Sequence, residues 1–325
     1  MSSSHEKTPG LDLPCLAFHD FDRSTALLSF SEHKPIVAGE DTDEVLRNKI
    51  ICPTAHGLLL VRDPDTTATY LWNPMNCDKI QLPPLGLREV EDTVLIDCHC
   101  VLSDKPTAPG CVVLLVEASE NTFIWYCHPG DDRWAKYDYD IGSHVLYYPD
   151  EEDQYEKRVI CPIAACRGTF YFNSMATELG VIDFTGSAAE PAFSTIVIDD
   201  GSNVCGHGSI FLVESHGELY MVGLLIPTPG EEIDKARVHM MDFSERRWRD
   251  VNDLGGRTFL LSRYFFGASC SGDSNRGLRP DCIYFVCHRT NSLHVFDVQK
   301  GTHELHKLDE APTTDKAFWL LPTDP

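Results

Sequence analysis

Short apolar runs set off by turn-forming residues recur along this chain, and no other feature limits its fold so strongly. Residues 57–85, GLLLVRDPDTTATYLWNPMNCDKIQLPPL, show the unit. An apolar run (58–61) meets a polar turn at Pro64, and a second run ends in Trp72. A second turn and a short third run close at Pro83-Pro84. Runs of this length between Pro, Gly, Asn and Asp clusters predict a strand meander, because those residues supply the backbone angles that reverse the chain. Residues 50–53 add an innermost strand, with Ala55-His56-Gly57 as a tight turn.

Four more units follow. The second has runs at 94–102, 111–117, 122–127 and 134–139; the third at 159–164, 169–173, 179–184 and 193–198. The fourth has 210–213, 218–226, 237–243 and 248–251, and the fifth 259–268, 282–287, 292–298 and 303–308. Arg167-Gly168 and His216-Gly217 repeat the turn at His56-Gly57. The third run and its turn repeat best, as in TYLWNPMNCDKIQL, RVHMMDFSERRWRDV and SLHVFDVQKGTHEL. Units of roughly 36 to 50 residues in an all-β chain predict propeller blades, since one four-stranded sheet must stack on neighbours to cover its faces. Residues 14–39 supply three short strands and 317–322 (AFWLLP) a single one. Together they complete a sixth blade. The expectation is an all-β propeller of six four-stranded blades closed by N- and C-terminal strands, leaving no long open edge. Residues 40–48 fit a helical turn or a loop.

The chain also resembles a known family in GLLLV…LWNP…LPPL, CVVLL…HPGDDRW, GTFYF…LGVIDF, FLVESHGELYMV, DFSERRWRDVNDLGGRTFLL, CIYFV…VFDVQKG and the terminal FWLLP. These segments, in this order from about Leu13 to Pro322, are similar to the plant domain of unknown function 295. That is the KIB-type β-propeller, related to F-box/kelch proteins. The resemblance implies a plant source and a kelch-like propeller over residues 13–323, behind a disordered tail at 1–12. For members with an N-terminal F-box it also implies a substrate-receptor role in a cullin-based ubiquitin ligase. Only about a dozen polar residues precede the first strand here. The recognition half is what carries over.

Composition narrows the function. Fifty acidic residues stand against 27 basic ones, a net charge of −23, which opposes general nucleic-acid binding. No run approaches the roughly 18–20 apolar residues of a membrane helix. The start, MSSSHEKTPGLDLPC, has neither an apolar core nor an Arg-rich amphipathic pattern, so cytosol or nucleus is expected. Thirteen cysteines, mostly in apolar runs such as those holding Cys111, Cys127, Cys282 and Cys287, read as reduced, packed thiols.

Chemistry is sparse. Cys98-His99-Cys100 with Cys111, and Cys282 with Cys287-His288, lack the C-x₂-C or H-x₃₋₅-H spacing that turns two ligands toward one zinc. His303 and His306 would fall on opposite faces of an outer strand. Gly206-His207-Gly208-Ser209 and Gly142-Ser143-His144 form no nucleophile elbow, and Gly255-Gly256-Arg257 forms no phosphate loop. Asp97 and His99 are the one polar pair expected near an inner strand, too few for the six to eight oxygens a calcium site takes. Trp72, Trp125, Trp134, Trp248 and Trp319 are expected as strand residues packed between blades. No catalytic residue, metal or cofactor is assigned.

One pattern remains. Loops joining second to third strands and connections between blades leave a propeller on one face, and the acidic segments fall in those classes. They hold Glu89, Glu91 and Asp92; Asp150, Glu151, Glu152, Asp153 and Glu156; Asp199 and Asp200; and Glu231, Glu232 and Asp234. An acidic rim there would attract a basic segment of a protein partner. The expected protein is a monomeric, non-enzymatic recognition propeller. The alternatives are a cullin-ligase substrate receptor acting without its own F-box, or a propeller hydrolase with a metal in its channel.

Overall fold

The computed structural model describes residues 11, 13–20, 24–32, 34–37, 39–86, 98–117, 122–146, 154–175, 177–184, 190–198, 208–226, 233–273, 277–287, 289–312, 314 and 316–323. Six antiparallel-based sheets form the blades of a propeller. The chain opens with β1 (Cys15–His19), β2 (Thr25–Ser29) and β3 (Pro35–Ile36), followed by a short helix, α1 (Glu40–Leu46). Blade 1 is β4 (Ile50–Pro53), β5 (Leu59–Arg62), β6 (Thr69–Trp72) and β7 (Lys79–Leu82). Blade 2 is β8 (Cys98–Leu102), β9 (Val113–Glu117), β10 (Phe123–Cys127) and β11 (Ala135–Asp138). A separate hairpin, β12 (Ser143–Leu146) with β13 (Gln154–Lys157), precedes blade 3.

Blade 3 is β14 (Ile163–Cys166), β15 (Thr169–Met175), β16 (Glu178–Asp183) and β17 (Ala192–Val197). Blade 4 is β18 (Gly208–Ser215), β19 (Glu218–Leu225), β20 (Lys235–Asp242) and β21 (Arg247–Val251). Blade 5 comprises β22 (Arg257–Ser262), β23 (Phe266–Ser271), β24 (Cys282–Cys287), β25 (Ser292–Asp297) and β26 (Thr302–Lys307). The final strand, β27 (Lys316–Leu320), pairs with β1 in register Cys15↔Leu320 to Phe18↔Ala317 and becomes the inner strand of blade 6.

Burial falls from the axis outward. All four residues of β4 and of β6 are buried, whereas β17 and β26 are mostly exposed. Inner strands lie between two neighbouring blades, so both faces must be apolar and the run loses its alternation. Each fully buried Leu or Phe contributes roughly 1.5–3 kcal/mol. Trp319 is buried against Phe30, with ring centroids 5.4 Å apart, and its Nε1–H donates to the Leu261 carbonyl at 3.0 Å, fixing the closing blade to blade 5. On the other side, Lys316 is only 3% exposed. Its Nζ donates to the carbonyls of Cys98 (2.9 Å) and Ile51 (3.4 Å), from the inner strands of blades 2 and 1.

Three features differ from the expected meander. Residues 259–268 are not one strand: β22 and β23 form a hairpin about Arg263-Tyr264-Phe265, in which Tyr264 and Phe265 both have φ of 62°. Left-handed backbone is costly for aromatic residues, and yet no Gly, Asn or Pro marks the reversal. The sheet order β23-β22-β24-β25-β26, with β22 parallel to β24, makes blade 5 five-stranded, with β22 inserted between the inner and second strands. Second, the expected loop at 142–158 contains the β12–β13 hairpin. Third, the inner strand of blade 3 begins at Ile163, after Pro162, which has no N–H for a ladder.

Two of the three repeated turns share one form, while 55–57 is a three-residue loop in which Gly57 but not His56 is left-handed. Arg167-Gly168 (φ 52° and 81°) and His216-Gly217 (φ 53° and 75°) are two-residue loops with both residues left-handed, the geometry that matches strand twist.

Candidate functional site

The strand directions give the ring two unlike faces. One, the turn face, carries the hairpin turns between first and second strands. The other, the connection face, carries second-to-third-strand loops and blade-to-blade connections, except that β22, parallel to β24, starts on the turn face. Along the axis between them the channel is narrow. A cavity of about 40 Å³, lined by residues including Cys100, Leu102, Ile163, Ala164 and Phe266, leaves space for about one water molecule.

At the turn face the axis widens into a cavity of about 360 Å³. Its walls come from residues 55–58 of blade 1, 105–107 of blade 2, Glu214 and His216 of blade 4, Arg257 and Ser269 of blade 5, and Pro322-Thr323 after the closing strand. The walls from blades 1, 4 and 5 are tied by hydrogen bonds. The Thr54 hydroxyl donates to the Leu58 carbonyl at 2.8 Å and accepts from its N–H at 3.1 Å, clamping the blade 1 turn. Glu214 accepts from the Gly217 N–H at 2.6 Å. Arg257 Nε–H donates to Ser269 Oγ at 3.0 Å, and Ser269 Oγ lies 2.9 Å from Ser215 Oγ, joining blades 4 and 5.

No disulfide joins the described cysteines, and burial pushes up the pKa of Cys52, Cys100, Cys111 and Cys127, and of Cys166 to about 11. These thiols are therefore protonated near neutral pH and poor as nucleophiles or metal ligands. Among the described residues no group of three or more His, Cys, Asp or Glu is arranged to hold a metal ion. Cys98, Cys100, Cys111 and Cys127 pack in one apolar cluster with Trp125.

Comparison with known proteins bears on what such a ring is. The KIB1-4 beta-propeller family matches residues 27–302. The chain belongs to that family. An F-box protein of Arabidopsis thaliana is 25% identical over 225 residues, which cover 67% of this chain and 52% of the relative. The chain thus spans about half the length of that relative. Distant likenesses among solved structures include apo AztD from Citrobacter koseri (14% identity, 90% of this chain, 82% of that chain, TM-score 0.40). A nidogen/laminin complex gives 8% identity, 96% and 100% coverage and a TM-score of 0.40.

In this KIB1-4 propeller the expected rim residues Glu89, Glu91, Asp92, Asp150, Glu151, Glu152, Asp153, Glu231 and Glu232 lie outside the described residues, as do Asp97, Asp199, Asp200 and the His99 side chain. Of their neighbours, Glu156 is exposed in β13 opposite His144, and Asp234 is exposed just before β20. His303 stacks on Phe296 with centroids 4.4 Å apart, its Nε2 3.1 Å from His294 Nδ1, while exposed His306 lies 3.3 Å from Glu304. Trp134 precedes β11 rather than lying in a strand, and its Nε1–H donates to the Pro83 carbonyl of blade 1 at 2.7 Å. Gly255-Gly256 form a left-handed turn, with Asp281 accepting from the N–H groups of Leu254 (2.7 Å) and Gly256 (3.2 Å).

Sequence reasoning missed the turn-face mouth. Lys105, Arg257 and His216 are far apart in the chain, and His56-Gly57 and His216-Gly217 read as turn geometry alone. The only available signal was that such turns must converge around the axis of any ring.

Proposed function

We propose that this KIB1-4 propeller is a non-enzymatic protein-recognition module that binds its partner through the connection face. An acidic rim formed by Glu89, Glu91, Asp92, Asp150, Glu151, Glu152, Asp153, Glu231 and Glu232 meets a basic segment of the partner. One topological observation supports this reading. The β7–β8, β11–β14 and β17–β18 connections and the β19–β20 loop all leave from strand ends on that face. The β12–β13 hairpin adds exposed apolar surface, with Val145 39% and Tyr155 71% exposed. Aromatic anchors within a polar rim are the usual composition of protein interfaces.

The test begins with affinity purification from plant cells and identification of recurrent partners. The quadruple variant Glu151→Lys, Glu152→Lys, Glu231→Lys and Glu232→Lys should then weaken binding of that partner at least about tenfold, or about 1.4 kcal/mol. Unchanged affinity would exclude the acidic rim.

A second reading is a substrate-recognition subunit of a cullin-based ubiquitin ligase. It is favoured by the F-box protein among the relatives, of which this chain spans about half. Recovery of a cullin or its adaptor, enriched under proteasome inhibition, supports it; a partner recovered without ligase components removes it.

A further inference from the structure

We propose that the outer edge of blade 3 is a second binding site, where an extended segment of another protein adds to β17 as an antiparallel strand. The Ile198 N–H donates to the Thr177 carbonyl at 2.9 Å, and the β16–β17 register continues from Val197↔Glu178 to Ala192↔Asp183. Bonded and non-bonded pairs alternate along an antiparallel ladder, so Ala192, Ser194 and Ile196 bond to β16. Phe193, Thr195 and Val197 turn their N–H and C=O groups the other way. Among the described residues no strand pairs with that side of β17. Thr195 and Val197 are exposed, Val197 by 58%.

The residues of this edge set it apart from the other five. Outer strands are ordinarily kept from further pairing by charge, proline or shortness. Lys79 in β7, Lys136 in β11, Arg249 in β21 and Lys307 in β26 serve that end, and β3 is two residues long and begins at Pro35. The six residues of β17, AFSTIV, include neither charge nor proline.

A second copy of the chain does not fit this edge. A strand about 20 Å long in a sheet about 10 Å deep offers roughly 200 Å². A stable interface takes about 800 Å² on each side, and each copy carries a net charge of −23. An added strand needs less area, because main-chain hydrogen bonds supply its affinity and alternate side chains its specificity. The chemistry of the segment follows from its neighbours. Phe193 stacks with Tyr137 and Tyr139, ring centroids 5.8 Å and 5.6 Å away, so an apolar side chain fits opposite it. Glu190 is exposed just before β17, which places a Lys or Arg at the C-terminal end of the antiparallel segment.

The experiment measures fluorescence anisotropy of the labelled peptide TVTVTVK with the full chain. One control is the same peptide N-methylated at two adjacent central residues, which removes a donor from each of its edges. The other is TVTVTVE. The parent peptide should bind at least about tenfold tighter than either control. Thr195→Pro removes an outward N–H, a change that edge strands tolerate. It should weaken binding at least about tenfold and move Tm by less than about 2 °C. Should Thr195→Pro fail to fold, Thr195→Lys, which puts a charge on the same edge, decides by the same loss. Equal binding of the three peptides, or full affinity in a folded variant, overturns the proposal. So does a dimer in sedimentation that Thr195→Lys dissociates, since the edge would then belong to a second copy.

Discussion

Two glycines in first-to-second-strand turns separate two reasons for a glycine. Gly57 and Gly168 both follow a first strand and both have left-handed backbone, φ 75° and 81°. A Cβ on Gly168 would meet nothing within 4 Å, whereas one on Gly57 would lie 2.8 Å from the Pro322 carbonyl oxygen. Gly168→Ala should therefore cost only the left-handed penalty, roughly 1–2 kcal/mol. Gly57→Ala must also displace the chain after the closing strand and should cost about 2–4 kcal/mol. Urea midpoints at unchanged m-value measure both; equal losses would mean that the close approach carries no energy. At this scale the sequence was legible where chemistry and geometry agree, as in His216-Gly217. It was silent at Tyr264 and Phe265, where tertiary packing holds two aromatic residues in a conformation that their side chains oppose. Phe265 packs against Phe211, with centroids 6.3 Å apart. The proposed acidic rim rests on composition alone, since loop charge carries no geometry and its residues lie outside the described ones.

Among the elements, the strands with alternating or continuous apolar runs were legible, and the three that interrupt the repeat were not. β22 is as apolar as an inner strand because it packs between β23 and β24, so its period resembles a continuation of β23. The β12–β13 hairpin was hidden for the opposite reason. All of QYEK is exposed, and polar exposed strands have no pattern to read. Among the described residues it pairs with no other sheet, and a lone hairpin is marginal by itself. Its base is already closed, with the Arg158 N–H donating to the Gly142 carbonyl at 2.9 Å. Arg158 is anchored to Glu178 at 3.2 Å. Replacing residues 143–157 with Gly-Ser should leave the propeller folded, with Tm shifted by less than about 3 °C, while abolishing binding through the connection face. A large loss of Tm in calorimetry would make the hairpin a structural element rather than a docking one.

For the whole molecule, the decisive contact is between the two ends of the chain. β27 pairs with β1 along five residues, yet about 300 residues separate them. Leu320 lies opposite Cys15, the arrangement of an ordinary first-to-second-strand hairpin that lacks only its turn. Joining Thr323 to Leu13 through a short Gly-Ser linker, and opening the chain between Asp150 and Glu151, would make blade 6 continuous and leave the ring closed by contacts between blades 2 and 3. Shortening the loop from about 300 to about 10 residues lowers its closure cost by up to about 3 kcal/mol, of which the new opening returns a part. The permutant should therefore fold with one cooperative transition and a Tm at or above that of the parent. A chain ending at residue 314 should lose that transition, because Leu16, Phe18 and the paired edge of β1 would be left uncovered. The comparison turns on β27 alone: if the shortened chain melts like the parent, the ring is held by its blade-to-blade packing and the terminal strand is not what closes it.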